Sequence, residues 1–222
     1  GLGDINNLTG EYEAAIKVYK IMARLAGNDT IILSRSRQKL AEVYKNQGNF
    51  DEALKILDEA AGLLTDDTVE ALYGKAEICV LRCWIYQVKG DAMKAVAEGN
   101  GGLKIAEALL HRPAGNFPTK FIDENKVKRL SANAFNNLGV VYWTNSDYDQ
   151  AIKHFNENLR ISIEIGDKQG IGTALGNLGI AYYAQGEYGK ATTLFLDCLK
   201  IVEEIGDRQR VSTASGNLGN IY

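Results

Sequence analysis

A repeat with a period of 40 residues runs through this sequence and limits the folds that the chain can adopt. The tripeptide Asn-Leu-Gly occurs at 137–139, 177–179 and 217–219, and a tyrosine follows three residues after each glycine. The tripeptide Ile-Gly-Asp occurs at 165–167 and returns at 205–207. Self-similarity at a fixed period of this length is typical of chains that stack one supersecondary unit many times. We therefore expect a solenoid of stacked repeats.

The same pattern extends into the first half of the chain with less identity. The second copy keeps Leu40, Tyr44, Gly48 and Ala53 in equivalent places. The chain divides into five repeats and the first helix of a sixth, at approximately 1–27, 28–66, 67–110, 123–166, 167–206 and 207–222. Together these repeats are expected to form a single domain, residues 1–222.

Each repeat is predicted to form two helices separated by a short break. In the fifth repeat, Leu178 and Tyr182 fall on one face of the first helix, and a second amphipathic stretch covers 188–205. Gly206 supplies a left-handed position that ends this helix, and Asp207 is placed to cap the next one. These features predict an all-α fold, an α-solenoid of antiparallel helix pairs.

Glycine has two predicted roles in this pattern. Gly139, Gly179 and Gly219 are expected to let a facing helix approach closely. The run at 99–102, Gly-Asn-Gly-Gly, lies inside the second helix of the third repeat instead. Each glycine inside a helix costs roughly 1 kcal/mol relative to alanine, so a kink or a locally weakened helix is predicted there.

These positions resemble the tetratricopeptide repeat, whose pattern is Leu-Gly, Tyr, Gly, Ala and an aromatic residue over two antiparallel helices. The resemblance covers the whole chain and is strongest in the last three repeats. It departs from the family in its period, 40 rather than 34, and in lacking the proline that often follows the second helix. The helices are therefore expected to be longer. The 40-residue form is similar to the repeats of spindle-orientation scaffolds, kinesin light chains and signalling-sensor arrays.

The resemblance implies that the first helices line a concave groove that holds an extended partner segment. Carried over position by position, the predicted groove residues are Asn133, Asn136, Asn137, Val140, Trp143, Thr173, Asn177, Tyr183, Asn217, Asn220, Arg35, Gln38, Lys39, Glu42 and Trp84. Asparagine suits the backbone of an extended peptide, because its amide offers one acceptor and two donors. The alternative is that Asn137, Asn177 and Asn217 bond the neighbouring repeat and fix the superhelix.

The aromatic residues of this set, Trp143, Tyr183 and Trp84, combine apolar area with a polar tip, as binding hot spots do. For Trp143 a structural role is an equally open alternative. The basic groove residues of the second repeat lie on one helix only. Capture of a carboxylate tail, which a variant of the family performs, is therefore not expected.

Composition and charge exclude several other classes of function. A net charge of −3 gives no basic surplus for binding nucleic acid. No apolar run reaches the roughly 18 residues of a membrane span. Cys79 and Cys83 are expected to be buried small hydrophobes in a reducing, cytoplasmic compartment, since no second pair of ligands accompanies them. We expect no catalytic site, no metal and no cofactor.

Residues 111–122 interrupt the repeat and hold both prolines, Pro113 and Pro118. Proline lacks a backbone donor and clashes with a helix, so a loop insertion is predicted between the third and fourth repeats. It is either a tolerated surface insertion or a loop that contacts the groove or a partner through Phe117 and Phe121.

These features favour a non-enzymatic protein–protein interaction scaffold that binds an extended peptide or partner segment in the groove. The alternative is a sensor or regulatory arm of a larger signalling protein, such as an ATPase, cyclase or transcription regulator. Gly1 in place of methionine suggests a fragment. The helix at 207–222 lacks a second helix to cover it, so Val211, Leu218 and Tyr222 predict self-association through this end.

Overall fold

The computed structural model describes residues 3, 4, 7, 9–112 and 122–221, and the regular elements of these residues are all helical. The helices are α1 (Tyr12–Ala26), α2 (Thr30–Asn46), α3 (Phe50–Gly62), α4 (Val69–Val88), α5 (Ala92–Leu110), α6 (Glu124–Thr144), α7 (Tyr148–Glu164), α8 (Lys168–Ala184), α9 (Tyr188–Glu204) and α10 (Arg208–Gly219). The predicted all-α fold of helix pairs is confirmed.

Residues 1–123 form one compact unit, unit 1, which contains α1 to α5. Within it α2 packs on α1 and α3, and α4 packs on α5, while α2 and α4 also touch each other. The core includes the fully buried side chains of Leu57, Ile78 and Ile85. Burying a side chain of this size is worth roughly 1.5–3 kcal/mol, so tertiary packing is the main source of helix stability here.

Residues 124–222 form a second compact unit, unit 2, in which each of α6 to α10 packs on the next and α6 also touches α8. Phe155 and Phe195, from the second helices of their repeats, are its largest fully buried side chains. A Cβ added to Gly179 would lie 2.5 Å from Cε1 of Phe195, and Gly139 faces Phe155 in the same way. Two repeat glycines therefore have the predicted packing role, whereas no described atom lies within 4 Å of such a Cβ at Gly219.

The turns between successive repeats use the predicted capping chemistry. Gly166 and Gly206 have φ of 67° and 71°, in the left-handed region. Oδ1 of Asp167 and Oδ1 of Asp207 each accept a hydrogen bond of 3.1 Å from the backbone N–H three residues later. Each aspartate thus satisfies one of the free N–H groups at the start of the next helix.

The turns inside the repeats require the same left-handed geometry. Gly48, Gly90 and Gly186 have φ between 77° and 80° at the end of their first helices. Ser146 occupies the equivalent place in the fourth repeat, with φ of 62°. A left-handed backbone costs a residue with a side chain roughly 1–2 kcal/mol, so this turn holds local strain.

The glycine run of the third repeat does not interrupt its helix, because α5 continues from Ala92 to Leu110. A Cβ added to Gly102 would lie 3.3 Å from Cβ of Cys79 and 3.5 Å from the carbonyl oxygen of Ala76. Both neighbours belong to α4. Gly102 therefore lets α4 and α5 approach closely, and the predicted kink or local weakening of the helix stays a prediction.

The last helix, α10, packs on α9 through Val211 and Ala214. Leu218 is half-buried, and Tyr222 lies outside the described residues. The predicted loop falls mostly outside them too, since 113–121, with both prolines and both phenylalanines, is not described.

None of the helices that the structure describes has both the length and the hydropathy of a membrane span.

Candidate functional site

Two adjacent cavities open on the side of unit 2 that is formed by the first helices α6, α8 and α10. We call this side the unit-2 groove. The first cavity, the amide cavity, has a volume of about 370 Å³. It is lined by Arg129, Ala132, Asn133, Asn136, Asn158, Ser162, Asp167, Gln169, Gly170, Thr173 and Arg210. Polar groups from α6, α7 and α8 therefore converge on one site.

The second cavity, the glycine cavity, lies between α8 and α10 over α9, with a volume of about 130 Å³. It is lined by Gly172, Thr173, Gly176, Asn177, Ile180, Phe195, Cys198, Arg210, Thr213, Ala214 and Asn217. Its apolar part comes from the two glycines, Ala214 and side chains of the buried core, while threonine and asparagine form its polar part. The cavities share Thr173 and Arg210, so they lie side by side.

An amide network supports the first cavity. Nδ2 of Asn177 donates to Oδ1 of Asn136 at 2.8 Å, and Nδ2 of Asn158 donates to the same oxygen at 3.4 Å. Asn158 is 3% exposed, and its Oδ1 accepts a bond of 3.0 Å from Oγ of Ser162. These bonds engage only Oδ1 of Asn136, so they leave its two N–H donors free for other partners.

Asn158 and Ser162 were missed by sequence reasoning, which looked for site residues on first helices only. Both lie on α7, four residues apart and therefore on one helical face. The sequence does contain a signal for them, because polar residues at this spacing lie on the apolar face of an amphipathic helix.

The structure places the predicted groove asparagines in different surroundings. Asn133 and Asn136 line the amide cavity, and Asn217 lines the glycine cavity. Asn177 lines the glycine cavity and also bonds the preceding repeat, as the structural alternative required. Asn137 is 9% exposed and packs inside unit 2, so it is corrected from a groove residue to a buried one.

The remaining predicted residues of unit 2 lie at the ends of the groove helices. Trp143 is 37% exposed near the end of α6, and Tyr183 is 39% exposed at the same place in α8. The Tyr183 ring also contacts Tyr188, with 5.3 Å between the ring centroids. Val140 is half-buried against the core, and Asn220 is exposed just beyond α10.

Two arginines frame the amide cavity. Nε of Arg129 pairs with Oδ2 of Asp167 at 3.2 Å. Arg210 donates from Nη1 to the carbonyl oxygen of Gln169 at 3.2 Å, and its Nε lies 3.6 Å from Oδ2 of Asp207. Each guanidinium has five N–H donors, so both keep donors that these contacts do not use.

In unit 1, the predicted residues Arg35, Lys39 and Glu42 are half-buried on α2. Nζ of Lys39 lies 3.1 Å from Oε2 of Glu42 and 3.4 Å from Oδ1 of Asp4. These ion pairs neutralise part of the charge that the sequence places there.

Gln38 is corrected from a groove residue to a buried one. It is 5% exposed, and its Nε2 donates to Oγ of Ser34 at 3.2 Å. Ser34 in turn donates to the carbonyl oxygen of Ala60 at 2.9 Å. Gln38 therefore belongs to the link between α2 and α3.

Trp84 packs largely into unit 1. Its ring meets Phe50 edge-on, with 6.1 Å between centroids, and Nζ of Lys45 lies 4.8 Å from the ring centroid. Burial lowers the pKa of Lys45. The indole is half-buried against the core of unit 1, and its place in a groove stays a prediction.

Glu77, on α4, carries a perturbed carboxyl group. Burial raises its pKa to about 7, against the opposing attraction of Arg35 and Lys39. Tyr73, one turn earlier, has its pKa raised by burial and by the Glu77 charge. A half-buried carboxyl group that titrates near neutrality therefore lies on a first helix of unit 1.

The three cysteines are free thiols. Burial raises the pKa of Cys79 and of Cys83 to about 12, and it also raises the pKa of Cys198. Cys83 and Cys198 are buried and Cys79 is half-buried, so the prediction of a buried small hydrophobic side chain is confirmed for Cys83 and not for Cys79. In the described ranges of the chain, histidine, cysteine, aspartate and glutamate do not cluster as a metal site would require.

Comparison with known proteins identifies the repeat. Residues 130–204 match a family model described as tetratricopeptide repeat, and residues 33–63 match a second model with the same description. No curated protein matches the sequence.

Several solved structures share the fold. BtubC (BKLC) from P. vanneervenii is 21% identical, with a TM-score of 0.74 over 95% of this chain and 83% of that one. The signal transduction ATPase with a tetratricopeptide repeat sensor from Pyrococcus horikoshii is 18% identical, with a TM-score of 0.77 over 99% of this chain and 31% of that one. A Rap protein complexed with Competence and Sporulation Factor is 19% identical, with a TM-score of 0.77 over 99% of this chain and 60% of that one.

At these identities the solved structures establish the architecture alone, and the chain spans less than two thirds of the Rap protein and of the ATPase. The family models match the same residues that carry the 40-residue pattern, in unit 1 and in unit 2. Residues 33–63 and 130–204 of this chain therefore contain tetratricopeptide repeats.

Proposed function

We propose that the chain is a non-enzymatic protein-interaction scaffold whose unit-2 groove binds an extended segment of a protein partner. The observation that carries this proposal is the pair of adjacent cavities along α6, α8 and α10. Five of the predicted groove residues line them, namely Asn133, Asn136, Thr173, Asn177 and Asn217.

The chemistry of this surface suits a peptide backbone. Side-chain amides supply both donors and acceptors, which pair with backbone C=O and N–H groups whatever the peptide sequence. The neighbouring apolar cavity supplies area for one side chain, and such a mix is usual for a binding site. The Rap protein with a related fold was solved in complex with Competence and Sporulation Factor, which supports a binding role by analogy.

Trp143 and Tyr183 are proposed to flank the bound segment, because both rings are exposed at the ends of groove helices. Arg35, Lys39 and Glu42 are proposed as a separate contact surface of unit 1.

The test is selection of linear random peptides, displayed on phage, against the immobilised chain. The groove variant is Thr173→Arg, which places a long charged side chain where the two cavities meet. Thr193→Arg is the matched control, because Thr193 is exposed on α9, outside both cavities, and its hydroxyl donates to the backbone four residues earlier just as that of Thr173 does.

We expect selected peptides to bind the wild type and Thr193→Arg equally and to bind Thr173→Arg at least tenfold more weakly, a loss of about 1.4 kcal/mol. Circular dichroism checks that both variants fold. A second groove variant, Thr213→Arg, changes an exposed residue that lines the glycine cavity. Peptides that bind all three variants as tightly as the wild type would argue against the groove.

A sensor arm of a larger signalling protein is a second candidate. The observation that favours it is the match of 99% of this chain to 31% of the Pyrococcus horikoshii signal transduction ATPase, which has a tetratricopeptide repeat sensor. The reading frame that encodes this chain tests it. An ATPase, cyclase or DNA-binding domain in the same frame would support the sensor role, and a frame without such a domain would contradict it.

A further inference from the structure

We propose, on the basis of the function proposed above, that the segment bound in the unit-2 groove carries an acidic side chain in the amide cavity and an aliphatic side chain in the glycine cavity. The two side chains lie about three residues apart along the bound segment. The partner is thus an extended peptide with one carboxylate and one Leu-sized or Val-sized anchor.

The acidic preference follows from the donors around the amide cavity. Arg129 and Arg210 line it, whereas Asp167 is its one lining carboxylate among the described residues. Asp167 is already engaged, because Oδ1 caps α8 and Oδ2 pairs with Arg129. The free guanidinium N–H groups and the Asn136 amide form a donor-rich pocket, and charge-assisted bonds to a carboxylate are the strongest that such donors make.

The helix that borders this cavity adds to the same preference. α8 begins at Lys168, so Gln169 and Gly170, which line the cavity, belong to its first turn. The start of a helix carries a partial positive charge, which favours an anion there.

The aliphatic preference follows from the shape of the glycine cavity. Gly172 and Gly176 leave space beside α8, and Ile180, Phe195 and Ala214 supply apolar contact. Its volume of about 130 Å³ suits one branched aliphatic side chain. Adding a Cβ to Gly176 would place it 3.6 Å from Sγ of Cys198, an ordinary contact, so a larger residue there fills the cavity without a clash at the backbone.

The spacing follows from the helices. The amide cavity lies between α6 and α8, and the glycine cavity lies between α8 and α10. Packed helices are about 8–10 Å apart, and an extended chain advances roughly 3.3 Å per residue, so neighbouring cavities are about three residues apart.

The test uses the peptides selected on phage against the wild-type chain, synthesised with a fluorescent label and measured by polarisation. Each acidic residue is changed to its amide, and each aliphatic residue to alanine. Binding is measured to the wild type, Arg129→Gln and Gly176→Leu. The control variants are Arg160→Gln, an equally exposed ion-paired arginine of α7, and Gly216→Leu, the equivalent glycine of the next repeat, which lies outside the cavity.

On the wild type we expect the change from acid to amide and the change from aliphatic to alanine each to weaken binding about tenfold. The change from acid to amide should hardly weaken binding to Arg129→Gln. The change from aliphatic to alanine should hardly weaken binding to Gly176→Leu. Both control variants should respond to the two peptide changes as the wild type does. Each pairing of a peptide change with a protein change is a double-mutant cycle, which separates the contact between the two side chains from general effects on the fold.

Groove-dependent peptides without an acidic and an aliphatic residue at this spacing would overturn the inference and leave the proposed function standing. Peptides with that pair whose binding responds equally to Arg129→Gln and Arg160→Gln would also overturn it. Selection of no groove-dependent peptide would overturn both proposals.

Discussion

The side-chain amide of Asn177 donates a hydrogen bond of 2.8 Å to Oδ1 of Asn136 and so joins the first helices of two adjacent repeats. Asn177→Ala removes this bond, and we expect the free energy of unfolding to fall by about 1 kcal/mol. Urea denaturation followed by circular dichroism measures it. Asn133→Ala, which changes an exposed asparagine of α6, is the control. Equal stabilities of the two variants would mean that the bond contributes nothing.

Gly179→Ala should be strongly destabilising although alanine favours helices. Its Cβ would lie 2.5 Å from the ring of Phe195, and overpacking of a buried site costs about 1–3 kcal/mol. Gly219→Ala tests the same sequence motif one repeat later, where no described atom lies within 4 Å of the new Cβ. We expect that variant to unfold within about 0.5 kcal/mol of the wild type. Similar losses in both variants would show that the glycines act through the backbone and not through contact.

Ser146→Gly should stabilise the chain. The serine backbone has φ of 62°, and glycine adopts this region without the cost that a side chain brings. The gain is expected to be about 1 kcal/mol, reduced by the larger freedom of glycine in the unfolded chain. Ser212→Gly, at an exposed position inside α10, should instead destabilise. Thermal melts of the two variants should therefore shift in opposite directions.

Glu77 makes the stability depend on pH. Its pKa is raised from 4.5 to about 7 in the folded chain, so between these values the folded chain holds a proton that the unfolded chain has released. The free energy of unfolding therefore falls as the pH rises through this window, by at most about 3 kcal/mol. Glu77→Gln should gain stability relative to the wild type between pH 5 and pH 8, as measured by denaturation at both values. Glu107→Gln, on the exposed side of α5, controls for the loss of one negative charge. A constant difference between Glu77→Gln and the wild type would contradict the assignment.

His154 makes the stability depend on pH in the direction opposite to that of Glu77. Burial lowers its pKa, and its ring stacks on Tyr142 with 5.1 Å between centroids and 5° between planes. Below the ordinary histidine pKa the unfolded chain therefore binds a proton more readily, so stability falls as the pH drops. His154→Leu copies Leu194 of the next repeat, and we expect it to reduce this acid sensitivity. Leu194→His should introduce it. Denaturation series from pH 7 to pH 5 compare the slopes, and an unchanged slope in His154→Leu would refute the role of this ring.

The helix pairs were predictable because local signals and packing agree. The repeat places Gly139 against Phe155 and Gly179 against Phe195, so one periodic pattern specifies both the helices and the contacts between them. The caps at Asp167 and Asp207 follow in the same way. Structure can be predicted from sequence where local signals and tertiary packing favour the same fold, as they do here.

The site was less predictable from the sequence. A helix turns 100° per residue, so an error of one residue in the assigned register moves a side chain to a different face of the helix. Asn136 and Asn137 were both assigned to the groove, yet the first lines the amide cavity and the second is buried. Gln38 is buried beside Gly74, where an added Cβ would lie 3.4 Å from its Nε2. That contact joins α2 and α4, so no pattern within one helix contains it.

The two buried cysteines, Cys83 and Cys198, make the local opening of this protein measurable. Thiol reagents attack the thiolate, which the raised pKa values of Cys79, Cys83 and Cys198 make scarce in the folded chain. Labelling therefore proceeds through transient opening of the surrounding helices. Because Cys83 lies in unit 1 and Cys198 in unit 2, a single time course of alkylation, resolved by peptide mass, reports how readily each unit opens.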